Sequence, residues 1–164
     1  MKRPLIYITS LVVLLLLLSS AVFAAPQDKG NPDPPGQLID LQILAINDYH
    51  GHLEANTPGT IEGAAAGGSE YLSAKLSELR QDKKFSRTVA AGDLIGGSPA
   101  FSGLFHDEPS VESLNAMQLD ISSVGNHEFD EGLTELLRMQ NGVCHPVDGC
   151  YCPDSPYPGA DFKW

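Results

Sequence analysis

The chain has 164 residues, enough for one domain with a substantial apolar core and too few for two ordinary domains. A formal net charge of −11, from 10 basic and 21 acidic residues, argues against a nucleic-acid polymer as partner, because such a surface repels a phosphate backbone. The same field opposes small anionic substrates, so any phosphate chemistry here calls for a bound cation.

Lys2 and Arg3 precede an almost wholly aliphatic run, Leu5–Leu18, which Ser19 and Ser20 lead into Ala21-Val22-Phe23-Ala24-Ala25. This order predicts a secretory signal over residues 1–24, cleaved after Ala24. The competing reading is an uncleaved anchor, since Leu5–Ala25 reaches the ~20 apolar residues that span a bilayer. Either reading expects export to the periplasm, the cell surface or the medium, with membrane attachment only through that anchor. Residues 1–24 hold two positive and no negative side chains, so the remainder carries −13.

Residues 25–37 read as a linker, because Pro26, Pro32, Pro34 and Pro35 exclude regular structure. Residues 38–164 are expected to form one domain. Leu38–Ile46 is β-prone and ends in a continuous apolar run, which predicts a strand buried on both faces of a parallel sheet. Asn47–Gly59 follows as a loop, and residues 63–68 (Gly-Ala-Ala-Ala-Gly-Gly) read as a flexible one. Leu72, Leu76 and Leu79 fall at helical spacing within Ser69–Lys83, with Ser69 as its cap. Arg87–Ala91 is the second strand, Gly92–Gly103 a glycine-bearing loop, Ser110–Leu119 a helix, and Ile121–Val124 the third strand. Asp130–Gln140 is a third helix, and a turn-rich segment follows it.

This βαβαβ series predicts an α/β fold with a largely parallel sheet, right-handed crossovers, and functional groups at the carboxyl ends of the strands. Three cysteines crowd the late segment. In an exported chain, Cys144 is expected to pair with Cys150 or Cys152, whereas their spacing does not suit a structural zinc site.

The three expected strand ends each deliver polar ligands. Asp48 and His50 follow the first and, one residue apart in an extended segment, leave on the same side to grip one metal. Asp93 follows the second and suits a carboxylate bridge between two ions. Asn126 and His127 follow the third. Carboxylate, imidazole and amide donors suit zinc, manganese or iron. Two such ions about 4 Å apart clamp phosphoryl oxygens, acidify a water and favour in-line displacement. The side chains of His127 and Asn126 diverge, so His127 is expected to face the substrate and stabilise or protonate the departing group, oriented by Asp130. Gly92 and Gly125 keep a Cβ out of the sharp turns beside the ligands.

Asp48-Tyr49-His50-Gly51-His52, Gly92-Asp93 and Gly125-Asn126-His127-Glu128-Phe129-Asp130 together resemble the metallophosphatase signature of the bacterial 5′-nucleotidase family, within the broader calcineurin-like pattern. The likeness covers Leu38–Gln140 and is strengthened by Asn47, Leu53, Glu54 and the Gly-Ser after Gly96. It implies the N-terminal portion of a layered metallophosphoesterase fold. By position it implies Asp48, His50 and Asp93 on a first divalent ion, Asp93 and Asn126 on a second, and His127 with Asp130 as a catalytic pair.

The implied activity is hydrolysis of nucleotide phosphoesters by a metal-activated water. A 2′,3′-cyclic phosphodiesterase or nucleotide-sugar diphosphatase is the enzymatic alternative, and an inactive metal- or phosphate-binding fragment the alternative of another class. The family's later histidine ligands and nucleoside-binding domain have no counterpart after His145, and the chain stops at Trp164 just before an expected strand. A fragment is therefore the expectation. Asp130 also reads as the N-cap of its helix and Glu128 as structural. His52, His106 and His145 receive no role.

Overall fold

The structure is a computed structural model that describes residue 36, residues 38–55 and residues 59–164. The expected signal sequence, and the linker apart from residue 36, lie outside the described residues. In chain order the elements are β1 (Gln42–Ile46), β2 (Gly59–Ile61), β3 (Ala64–Ala66), α1 (Ser69–Arg80) and β4 (Ser86–Ala90). They continue as α2 (Ala100–Gly103), α3 (Glu108–Ala116), β5 (Ile121–Ser122), a 3-10 turn (His127–Phe129) and α4 (Leu133–Asn141). Among the described residues no helix is long and apolar enough to cross a membrane.

β1, β4 and β5 form the parallel sheet in the order β1-β4-β5, with Ile46 opposite Ala90 and Ala90 opposite Ser122. This is the α/β architecture read from the sequence, and it brings three strand ends to one edge. Beyond β5, Ile121 bridges Lys163 in parallel, and the Ser122 N–H donates to the Lys163 carbonyl at 2.8 Å.

Burial of β1 on both faces is not found. The strand starts at Gln42 instead of Leu38, and its residues alternate: Leu44 and Ile46 pack against the core, whereas Ile43 is 60% exposed. The register puts Ile43, Ala45, Val89 and Ile121 on the sheet face opposite the one that meets the core. The helices cover one face, building a core from Leu76 of α1, Val111 and Leu114 of α3, Leu136 and Met139 of α4, and Phe162. An apolar run read along one strand could not reveal which layers this chain supplies.

Residues 63–68 are not a loop throughout. β2 and β3 pair as an antiparallel hairpin, Ile61 opposite Ala64, across Glu62 and Gly63 with φ of 52° and 83°. Positive φ at both central residues gives a two-residue turn the twist that hairpin strands require. Ser69 is not the cap of α1; that position is Gly68, and the Ser69 hydroxyl donates to the Leu53 carbonyl at 3.0 Å. Arg80, at the end of α1, donates to the carbonyls of Met117 (2.8 Å) and Gln118 (3.2 Å), fastening α1 to the end of α3.

A buried ion triad joins α3 to α4. Arg138 Nη1 lies 2.6 Å from Glu108 and Nη2 lies 2.7 Å from Glu135, with all three side chains nearly out of solvent. Replacing Arg138 by methionine leaves two buried carboxylates without a countercharge, a loss of about 3–5 kcal/mol. Urea denaturation of Arg138→Met is expected to show this loss; an unchanged midpoint would mean that water enters the triad freely.

Candidate active site

The loops that follow β1 and β4 run on together past the strands. The N–H of Asp48 donates to the Gly92 carbonyl (3.2 Å), that of His50 to Asp93 (3.1 Å) and that of Gly51 to Leu94 (3.3 Å). The segment carrying Asp48 and His50 is not extended. Their φ values are 52° and 45°, and that of Asp93 is 52°, all in the left-handed region that residues with a Cβ seldom occupy. Backbone strain of this kind persists where the surroundings over-determine it, and here the cross-loop hydrogen bonds do so.

His50, Asp93 and His127 each bring one ligand atom within 4.8 Å of the others. The His50 and His127 rings meet edge to face, centroids 4.8 Å apart. The Nδ1 of His50 lies 2.7 Å from the Gly96 carbonyl. A carbonyl only accepts, so Nδ1 carries the proton and Nε2 is left with a free lone pair, the usual state of a metal-binding imidazole. One Asp93 oxygen, Oδ1, accepts the His127 N–H at 3.0 Å, which leaves Oδ2. Asp48 does not join this cluster; its carboxylate accepts a hydrogen bond from the side-chain amide of Asn47. Asn126 opens the 3-10 turn, its carbonyl accepting the Phe129 N–H at 3.2 Å, and so stands directly before His127.

Asp130 does not cap α4. That helix begins at Leu133 behind Gly132, and the Asp130 carboxylate instead accepts from His127 Nδ1 at 2.8 Å. This hydrogen bond holds the His127 pKa above the ordinary imidazole value, with further help from the charges of Asp130, Asp93 and Glu128. A raised histidine pKa contributes stability that is complete below the unfolded value of about 6.5 and is lost as pH rises through the folded value. In a proton NMR titration of metal-free protein, Asp130→Asn is expected to lower the His127 pKa toward that ordinary value. An unmoved titration would remove Asp130 from the role of orienting partner.

Two glycines are required by close approach. A Cβ on Gly125 would stand 2.1 Å from Asp93 Oδ1, and one on Gly92 would stand 2.4 Å from the Gly125 nitrogen. Glu128 is 2% exposed, and its carboxylate accepts the N–H groups of Asp93 (3.0 Å), Leu94 (2.8 Å) and Gly125 (2.5 Å). It clamps the β4 and β5 turns together. Asp107 plays a comparable part, accepting the Gly96 N–H at 2.8 Å and the Ser102 hydroxyl at 2.7 Å. Sequence reading missed Asp107, since nothing in an acidic loop marks one carboxylate as buried.

An unprotonated imidazole nitrogen, a carboxylate oxygen and a neighbouring amide form a donor set suited to a zinc- or manganese-class ion. His50 and Asp93 bring the first two of these donors together from left-handed turns, so they fit the expected metal.

No protein-family model matches the chain. It is 45% identical over 134 residues to an endonuclease of Bacillus subtilis, YhcR, covering 78% of this chain and 10% of that one. It is 38% identical over 146 residues to an uncharacterised protein of Acinetobacter calcoaceticus, covering 80% of this chain and 72% of that one. To the NAD 5′-nucleotidase of Haemophilus influenzae it is 35% identical over 114 residues, 66% of this chain and 19% of that one. A solved NAD nucleotidase structure from the same organism matches 65% of this chain and 21% of that one, at 32% identity and a TM-score of 0.48. The chain thus spans a tenth of the endonuclease and a fifth of the nucleotidase, but most of the Acinetobacter protein.

Proposed function

Because the chain belongs to the 5′-nucleotidase family and carries sequence of its N-terminal metallophosphoesterase domain, we propose that it hydrolyses phosphoesters of nucleotides. The observation that carries this reading is the convergence of His50, Asp93 and His127, with Asp130 behind His127, at the carboxyl edge of the parallel sheet. By the family resemblance, Asp48 would join His50 and Asp93 on one divalent ion, and Asn126 would join Asp93 on a second. When bound, these ions supply charge neutralisation and Lewis-acid polarisation of the phosphoryl group. They also offset the repulsion between an anionic substrate and a chain of net charge −11.

The chain's own groups do the rest. Glu128 fixes the backbone of both turns, so Asp93 is held before substrate arrives. His127, its Nδ1 held by Asp130, would face the phosphoryl group and deliver an Nε2 proton to the leaving nucleoside oxygen. The Lys2-Arg3 and Leu5–Leu18 pattern supports export, with nucleotides met outside the cytoplasm.

The reading is tested by phosphate release from 5′-AMP by the purified chain, with manganese or zinc restored after chelation. 2′,3′-cyclic AMP, a nucleotide sugar and a DNA oligonucleotide serve as competing substrates. Metal-dependent release from AMP supports it; turnover of the oligonucleotide alone would replace it with a nuclease. Within the active protein, His127→Ala is expected to lower kcat by about 10²–10⁴ while metal content stays near wild type. Equal loss of metal would instead make His127 a ligand.

A further inference from the structure

A second group of metal-binding side chains lies apart from the strand-end cluster. His106, Glu131, Glu135 and His145 each place one ligand atom within 4.8 Å of the others. They come from three stretches of chain: the loop between α2 and α3, the start of α4, and the loop that the Cys144–Cys150 disulfide closes. Read one at a time, His106 and His145 look like surface residues. In the structure they are 20% and 12% exposed, and their rings stack with centroids 3.7 Å apart.

From this convergence we propose that His106, His145, Glu131 and Glu135 form a structural site for a zinc-class divalent cation, independent of the phosphoesterase reading. Two imidazoles and two carboxylates are ordinary zinc donors; both Glu135 oxygens also accept from Arg138, so the ion would share Glu135 with that guanidinium. A carboxylate also backs one of the imidazoles: Asp148 Oδ2 lies 2.8 Å from His106 Nε2, while His106 Nδ1 lies 3.2 Å from Glu131 Oε2. A carboxylate behind a ligating histidine fixes its tautomer and raises its basicity. Charge supports the assignment too. Glu108, Glu131, Glu135 and Asp148 gather here, and Arg138 answers only Glu108 and Glu135.

A cavity of about 170 Å³ is lined by His106, Glu131 and Glu135 together with His127 and Asp130. Such an ion would link the disulfide loop to α4.

The experiment counts zinc by titration and elemental analysis in the full chain carrying Asp93→Ala, which weakens the strand-end site. We expect that protein to retain one tightly bound zinc ion, and His106→Ala with His145→Ala in the same background to retain none. Glu131→Gln, at a half-exposed position, is expected to weaken the ion by about 10–100-fold without unfolding the chain. NMR of the ring nitrogens gives a readout that needs no substitution at the site, since zinc should shift His106 and His145 in the Asp93→Ala protein. Absence of bound zinc, or unshifted His106 and His145 resonances, would overturn the site and leave His106 as an imidazolium bridging Glu131 and Asp148.

Discussion

Asp93→Ala is expected to weaken divalent-metal binding at the strand-end site by more than 100-fold and to reduce phosphate release to background. Asp93 meets both neighbouring turns: its carboxylate Oδ1 accepts the His127 N–H at 3.0 Å, and its backbone carbonyl, which the alanine variant keeps, accepts the His50 N–H at 3.1 Å. Replacing groups that merely support ligands costs about 10–100-fold in metal affinity, and removing a carboxylate that would be shared by two ions should exceed that. Gly125→Ala supplies the companion test. Its Cβ would fall 2.1 Å from Asp93 Oδ1, so the carboxylate must turn away although it is still present. Isothermal titration with manganese measures both variants. If Gly125→Ala binds manganese as tightly as wild type, Asp93 is not held where the site needs it, and the assignment of the bridge fails.

What the sequence made legible follows from how local each signal is. The order of strands and helices, and the delivery of Asp48, His50, Asp93, Asn126 and His127 after successive strands, depend on neighbours close in the chain, and those were readable. Conformation at the ligands was not. A D-x-H spacing suggests an extended segment, whereas Asp48 and His50 take left-handed φ because the loop after β4 hydrogen-bonds to them from more than forty residues away. The same limit hid the hairpin at Glu62-Gly63, which lacks the Asn-Gly or Asp-Gly signature of such turns. It also hid the pairing of His106 with His145, since two isolated histidines in polar loops carry no period. Asp130 shows a milder form of the problem: one residue fitted two local roles, and only the position of Gly132 at the head of α4 decided between them.

Glu128 tests whether the site is assembled by its backbone as much as by its ligands. Buried carboxylates are normally unfavourable, yet this one is 2% exposed and receives three N–H donors, from Asp93, Leu94 and Gly125. Hydrogen bonds to a charged group contribute about 1.5–3 kcal/mol each, so Glu128→Ala is expected to cost about 4 kcal/mol or more. Such a loss approaches the whole stability of many domains, and the variant is at risk of not folding. Glu128→Gln removes that difficulty. An amide oxygen at the Oε2 position still accepts from Asp93 and Gly125, while the amide nitrogen faces the Leu94 N–H and cannot accept from it. The expected result is about half the stability loss of the alanine variant, with metal affinity at Asp93 reduced by about 10–100-fold, because the turn carrying the ligand has lost part of its anchor. Urea denaturation and manganese titration separate the two effects. Wild-type affinity in a destabilised Glu128→Gln protein would show that the clamp serves the fold alone, whereas a parallel loss of both would tie the geometry of Asp93 to a residue that never touches the metal.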